Sequence, residues 1–105
     1  MRNKPTYPLA DVVRLAGTPD ARILTRSAED DARNELSLWR ADVFRIVAAL
    51  TAGDFYKTMP ATGVPGLYQD VYRPHVITPS HQAGVTVYCK VQIRSSLVVI
   101  SFKLK

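Results

Sequence analysis

The sequence predicts an α+β domain, in which two or three N-terminal helices pack on an antiparallel β-sheet. Three observations carry that expectation. Apolar residues in the first half recur at helical spacing: Leu9, Val12, Val13 and Ala16 form one stripe, and Trp39, Val43, Ile46, Val47 and Leu50 form another. In the last quarter Val85, Val87, Cys89, Val91 and Ile93 alternate without a break with Thr86, Tyr88, Lys90 and Gln92, the period of a half-buried strand. Arg94-Ser95-Ser96 then separates that run from Leu97–Lys103, and a three-residue polar connection between two such runs makes an antiparallel hairpin.

Met1 to Thr6 is polar and reads as loose chain. Pro8 is acceptable in the first turn of the first helix, and Gly17-Thr18-Pro19 ends it. Arg22 to Arg26, with Ile23, Leu24 and Thr25, leans towards a short edge strand. Ser27 followed by Glu29 and Asp30 reads as a helix N-cap with acids in the first turn. Trp39 then heads the second apolar stripe and reads as a core anchor. Thr51 to Asp54 closes the helical half. Phe55–Met59 is a predicted strand, Pro60–Gly66 a loop, Leu67–Arg73 a strand stopped by Pro74, and His75–Gly84 a longer loop before the closing hairpin. Leu97 to Ile100 is apolar on both faces, as in a strand covered on both sides. Simple alternation then puts Phe102 with Val98 and Ile100, and Lys103 with Leu97, Val99 and Ser101. No repeat or linker divides the chain, so residues 1–105 read as one domain.

The composition narrows the class. The chain has 105 residues, 47% of them hydrophobic, and a formal net charge of +5. Residues 1–53 hold eight Lys/Arg against seven Asp/Glu, whereas residues 54–105 hold six against two. The strand-rich half therefore carries most of the excess, and a basic sheet surface suits a polyanion. A single cysteine forbids an internal disulfide and favours a reducing compartment. With no apolar run long enough to cross a bilayer and no apolar core in Met1–Asp11, the expected location is cytoplasmic, with no membrane partner.

No phosphate-binding loop, HExxH or paired CxxC is present. His75, His81 and Cys89 make a poor metal set, since five residues separate the histidines and no fourth ligand presents itself. No metal and no cofactor are expected. What remains is a set of polar residues on neighbouring strands: Lys57, Gln69, Tyr88 and Lys103, with Tyr68, Tyr72, Arg73, His75 and Lys90 close by in sequence. Singly, each has an ordinary structural use, because strand lysines are usually solvated and strand tyrosines half-core. One residue from each of four adjacent strands can nevertheless converge on one face.

The words in which these residues sit are informative. Asp54-Phe55-Tyr56-Lys57-Thr58-Met59, Gln69-Asp70-Val71-Tyr72-Arg73-Pro74, Val87-Tyr88-Cys89-Lys90 and Val99-Ile100-Ser101-Phe102-Lys103 resemble the MqsR family, toxins of bacterial type II toxin–antitoxin pairs. The close likeness covers the β half. It implies a RelE-like toxin fold and a metal-independent endoribonuclease, an mRNA interferase that cleaves single-stranded mRNA at short GC-containing sites and so stops translation and growth. It also implies a cognate antitoxin, with a homodimer or a toxin–antitoxin hetero-oligomer as the assemblies in view. Carried over by motif, the catalytic positions are Lys57, Gln69, Tyr88 and Lys103. Two departures stand out: the His75–Gly84 loop is long, and His75 stands where the family pattern has an arginine.

A ribonuclease of this kind attacks with the substrate's own 2′-hydroxyl, leaving a 2′,3′-cyclic phosphate and a 5′-hydroxyl. It must take a proton, stabilise a phosphorane and protonate the leaving oxygen. Lys57 and Lys103 would supply charge, and Gln69 would orient a phosphate oxygen or ribose. Tyr88, its pKa lowered by neighbouring ammonium groups, or a depressed lysine would move the proton, with His75 as rival. Tyr68, Tyr72, Arg73, His75 and Lys90 would contact RNA, the aromatic rings by stacking on bases, although Tyr72, which shares the parity of Tyr68, reads equally as a packing residue. The alternatives from the residues alone are a non-catalytic basic RNA-binding domain and a protein-interaction domain.

Overall fold

The computed structural model describes residues 4–105, and the expected looseness of Met1–Asn3 lies outside them. Helices α1 (Leu9–Ala16), α2 (Arg26–Leu36) and α3 (Arg40–Ala48) cover one face of a sheet. Its strands are β1 (Arg22–Leu24), β2 (Phe55–Pro60), β3 (Tyr68–Tyr72), β4 (His75–Thr78), β5 (His81–Ile93) and β6 (Leu97–Leu104). The order across the sheet is β1-β6-β5-β3-β2, with β4 paired to β5 beyond the end of β3. All pairs are antiparallel except β1, an edge strand as expected, which runs parallel to β6. This is an α+β fold. Its core lies between helices and sheet, where Val12, Leu36, Val43, Phe44 and Val47 meet Val87, Cys89, Val91, Leu97, Val99 and Phe102, all buried.

Several local readings need correction. The cap of α2 is Thr25, whose hydroxyl accepts the Ala28 N–H at 3.2 Å, and Ser27 lies inside the helix. Trp39 is not a core anchor. Ser37 ends α2 with φ +56°, which buries Leu38 and leaves Trp39 62% exposed at the N-cap of α3, under the Arg33 guanidinium at 3.3 Å. Thr6 is held rather than loose: the buried Asp70 carboxylate accepts the backbone N–H groups of Thr6 and Tyr7 at 3.0 and 2.9 Å. The stretch His75–Gly84 is not a loop but a hairpin, in which Thr78 pairs with His81 across Pro79-Ser80. Gly84, at φ +95°, lies under the His75 imidazole, where a Cβ would collide with the ring.

The most consequential departure is in β6. Lys90 pairs with Ser101 but Val91 pairs with Val99, so Ile100 is an extra residue, a β-bulge. Beyond it the parity of the strand inverts. Phe102 therefore joins Leu97 and Val99 in the core, and Lys103 turns to the open face beside Tyr88. The bulge is fastened from the helix layer. Thr25 donates its hydroxyl to the Ile100 carbonyl at 3.0 Å and its N–H to Val99 at 3.2 Å, and Glu35 accepts the Leu104 N–H at 2.9 Å.

Thr25 thus serves two roles, cap and bulge anchor. Thr25→Val should lower the unfolding free energy by about 2 kcal/mol, the sum of a lost cap and a lost hydrogen bond, whereas Thr25→Ser should stay within about 0.5 kcal/mol of the native chain. Urea denaturation of the two variants measures both.

Candidate active site

The face of the sheet turned away from the helices is the candidate site. A second bulge prepares it. In β2 Phe55 pairs with Tyr72 while Lys57 pairs with Val71, which leaves Tyr56 as the extra residue. Under simple alternation Phe55 and Lys57 would share a face. The bulge instead sends Phe55 into the interior, where its ring meets Tyr72 edge-on at 5.6 Å, and Lys57 to the open side. Tyr56 projects outward with the Arg73 guanidinium 3.8 Å above its ring.

Register then defines rows. Lys57, Val71, Lys90 and Ser101 lie side by side across four strands. Tyr88 pairs with Lys103 in the row on one side, two residues or about 6.6 Å along β5. On the other side Gln69 Nε2 donates to Gln92 Oε1 at 2.9 Å. Of the four residues expected to converge, Lys57, Tyr88 and Lys103 therefore surround Lys90. Gln69 shares their face but stands four residues, about 13 Å, from Tyr88 along the strand direction. Lys90, expected only as an RNA contact, occupies the centre.

The other expected contacts divide. Arg73 stacks on Tyr56 at the Tyr88 end. His75 pairs with Thr86, one row beyond Tyr88, and its Nδ1 lies 3.4 Å from the Thr86 hydroxyl. A cleft of about 310 Å³ opens next to it, walled by Ile46, Ala49, Asp54 and Pro74. Tyr68 begins β3 half-buried, and its carbonyl accepts the Tyr7 hydroxyl at 2.6 Å. Tyr72 is a correction: it is fully buried on the core side, and desolvation together with the Asp70 charge raises its pKa. A ring sealed in this way has no face to offer a base. Cys89 is likewise core, its thiol pushed up to about 12 by burial. Tyr56 was missed by sequence reading, because nothing in its residue type announces a bulge.

The electrostatics also differ from expectation. Burial, and then the charge of Tyr56, raises the Tyr88 pKa rather than lowering it. Lys103 Nζ sits 5.8 Å from the Tyr88 ring centroid, over the aromatic face. Lys90 moves the other way, lowered by burial first and then by Lys103 and Lys57. Among the described residues none of these three lysines forms an ion pair. Three cations on one face without a carboxylate form a site for an anion, with phosphate-like chemistry the natural complement.

Three helices on one side of a mostly antiparallel sheet, and a cationic stripe on the other, define a small protein with the RelE-like toxin fold. The family model described as "motility quorum-sensing regulator, toxin of MqsA" matches residues 4–104. A relative from Escherichia coli (strain K12), named mRNA interferase toxin MqsR, is 32% identical over 104 residues, covering 99% of this chain and 98% of its own. The chain belongs to the MqsR toxin family. No described helix is long and apolar enough to cross a membrane.

The Lys90 shift has a measurable sign. A folded-state value below the ordinary 10.5 means that the folded chain binds fewer protons than the unfolded chain in the interval between the two, so stability rises with pH there. Lys90→Gln should therefore melt above the native protein at neutral pH in low salt, with the gap closing as pH approaches about 10. Thermal melts of the pair over that range read the difference. Raised tyrosines act in the opposite direction only above their ordinary value of 10.0, in both proteins alike.

Proposed function

We propose that this chain is a metal-independent endoribonuclease, an mRNA interferase that inhibits translation and growth until a cognate antitoxin neutralises it. The observation that carries the reading is the cluster of Lys57, Lys90 and Lys103 around Tyr88 on an open sheet face, with no carboxylate to quench it. Membership of a family described as the toxin of MqsA supports both the activity and the partner. The relative's name supports mRNA as the substrate.

The chemistry follows from what these side chains can do. The 2′-hydroxyl attacks the adjacent phosphorus in line, and the P–O5′ bond breaks to leave a 2′,3′-cyclic phosphate and a 5′-hydroxyl. Lys57 and Lys103 stabilise the charge that grows on the non-bridging oxygens. Tyr88, whose raised pKa keeps it protonated at neutral pH, gives its proton to the departing 5′-oxygen. Gln69, tied to Gln92, orients the neighbouring nucleotide through its amide rather than the scissile phosphate. Arg73 and Tyr56 offer a stacked guanidinium and ring to an unstacked base, and His75 stands one row further along the same face, whereas Tyr68 shares the parity of Asp70 and Tyr72 and falls on the helix side of β3. Short GC-containing sites are the preference implied by the family likeness.

The purified protein should cut a single-stranded transcript in the presence of EDTA, giving fragments with cyclic-phosphate and 5′-hydroxyl ends. A 2′-deoxy substitution at the cleaved nucleotide should abolish the cut. Lys57→Ala, Lys103→Ala and Tyr88→Phe should each lower kcat by about 10²- to 10³-fold. Retention of intact RNA with a steep salt dependence would instead assign a binding domain without cleavage.

A further inference from the structure

We infer that Lys90 is the residue that takes the proton from the attacking 2′-hydroxyl. The assignment rests on the nuclease reading above and goes beyond it. It gives a catalytic role to a residue that the motif likeness leaves among the RNA contacts.

Position comes first. Lys90 lies in the central strand of the face, with Lys57 two strands away in its own row, about 10 Å between Cα atoms, and Lys103 diagonally opposite on β6, about 7–8 Å away. A phosphate held between the long Lys57 and Lys103 side chains therefore falls between the row of Lys90 and the row of Tyr88. Tyr88 stands two residues along the same strand and face, so a donor and an acceptor flank that phosphate about 6.6 Å apart at the backbone. In-line displacement needs the proton taken on one side of phosphorus and given on the other.

The surroundings come second. The groups facing Lys90 are Lys57 of β2, Lys103 of β6 and Tyr88 of β5, with Tyr56 and Arg73 beyond Tyr88. From β3 come the buried Val71 side chain, an apolar floor directly opposite, and diagonally the uncharged Gln69 amide, tied to Gln92. No carboxylate is among them to hold the ammonium charged. The environments of Lys90 and Tyr88 thus shift their proton affinities in opposite directions, Lys90 down and Tyr88 up, the pattern that separates a base from an acid.

The proton balance closes. Neutral Lys90 Nζ takes the 2′-hydroxyl proton as the 2′-oxygen bonds to phosphorus. The P–O5′ bond breaks, and O5′ receives the Tyr88 proton. Lys90 is left as ammonium and Tyr88 as phenolate, and a single proton passed from the first to the second restores both. No oxidant, metal or further reactant enters.

The test is single-turnover cleavage between about pH 6.5 and 9.5. The native rate should climb close to tenfold per pH unit while Lys90 is mostly charged. Lys90→Arg keeps the stem and the charge but cannot release a proton. It should cleave at least 100-fold more slowly and lose the pH dependence, while binding 2′-O-methyl RNA within threefold of the native affinity. An RNA with sulfur in place of the leaving 5′-oxygen needs no acid, so it should restore Tyr88→Phe and leave Lys90→Arg slow. Cleavage by Lys90→Arg within threefold of native, or its rescue by the sulfur substrate, overturns the assignment while leaving the nuclease intact. Native protein that leaves all RNA whole overturns both.

Discussion

Two β-bulges decide which way Lys57 and Lys103 face, and every property of the open face depends on them. Each inserts one residue, Tyr56 in β2 and Ile100 in β6, and so inverts the side-chain alternation downstream. Without the first, Lys57 would point where Phe55 points; without the second, Lys103 would follow Leu97 and Val99 into the core. The inversions also serve packing, since the same step in β6 brings Phe102 inward. Both are braced. Arg73 donates its N–H to the Asp54 carbonyl at 2.7 Å and stacks on Tyr56, while α2 holds β6 through Thr25 on one side of Lys103 and Glu35 on the other. The helix layer that buries the core thereby also positions a lysine on the opposite face.

The face so built is costly. Three ammonium groups repel one another over a floor that contains the fully buried Val71, and burial adds to the repulsion at Lys90. The apolar side of the same strands offsets this, because Val87, Cys89 and Val91 of β5 are completely buried against the helices. An arrangement that is strained when empty and relieved by an anion is the expected form of a phosphate site. It also accounts for the uneven distribution of charge along the chain, with the excess gathered in residues 54–105.

Much of this was legible from residue order. The unbroken alternation from Val85 to Ile93 placed Tyr88 and Lys90 outward and Cys89 inward, as the structure has them, because no irregularity interrupts that strand's outward row up to Gln92. The helices and the closing hairpin were equally readable. What failed shares one cause, single residues that break a period without a mark in their type. Neither bulge contains a glycine, so parity put Phe102 on the wrong side. Ser37 adopts the left-handed conformation without being glycine or asparagine, so the apolar stripe beginning at Trp39 started one turn too early. Pro79 and Ser80 make a tight turn that resembled part of a longer loop. Tyr72 could not be assigned a side until Asp70 and Phe55 were located on the core face.

The pairing of a lysine with a tyrosine has a kinetic consequence that a histidine would not. In the proposed scheme only uncharged Lys90 can take the proton, so the chemistry waits on loss of the ammonium charge, which burial and the two neighbouring lysines favour. The compensation is electrostatic. In that scheme a lysine that serves as base when uncharged is a third cation when charged, and in that state it would draw RNA to the face before any reaction. Substrate phosphate then shields Lys57 and Lys103 from Lys90, which favours the charged form of Lys90 and works against the base. Recruitment and reaction therefore compete for the same side chain. A protein that needs few cuts in few messages to halt growth can tolerate that competition; an enzyme selected for throughput could not.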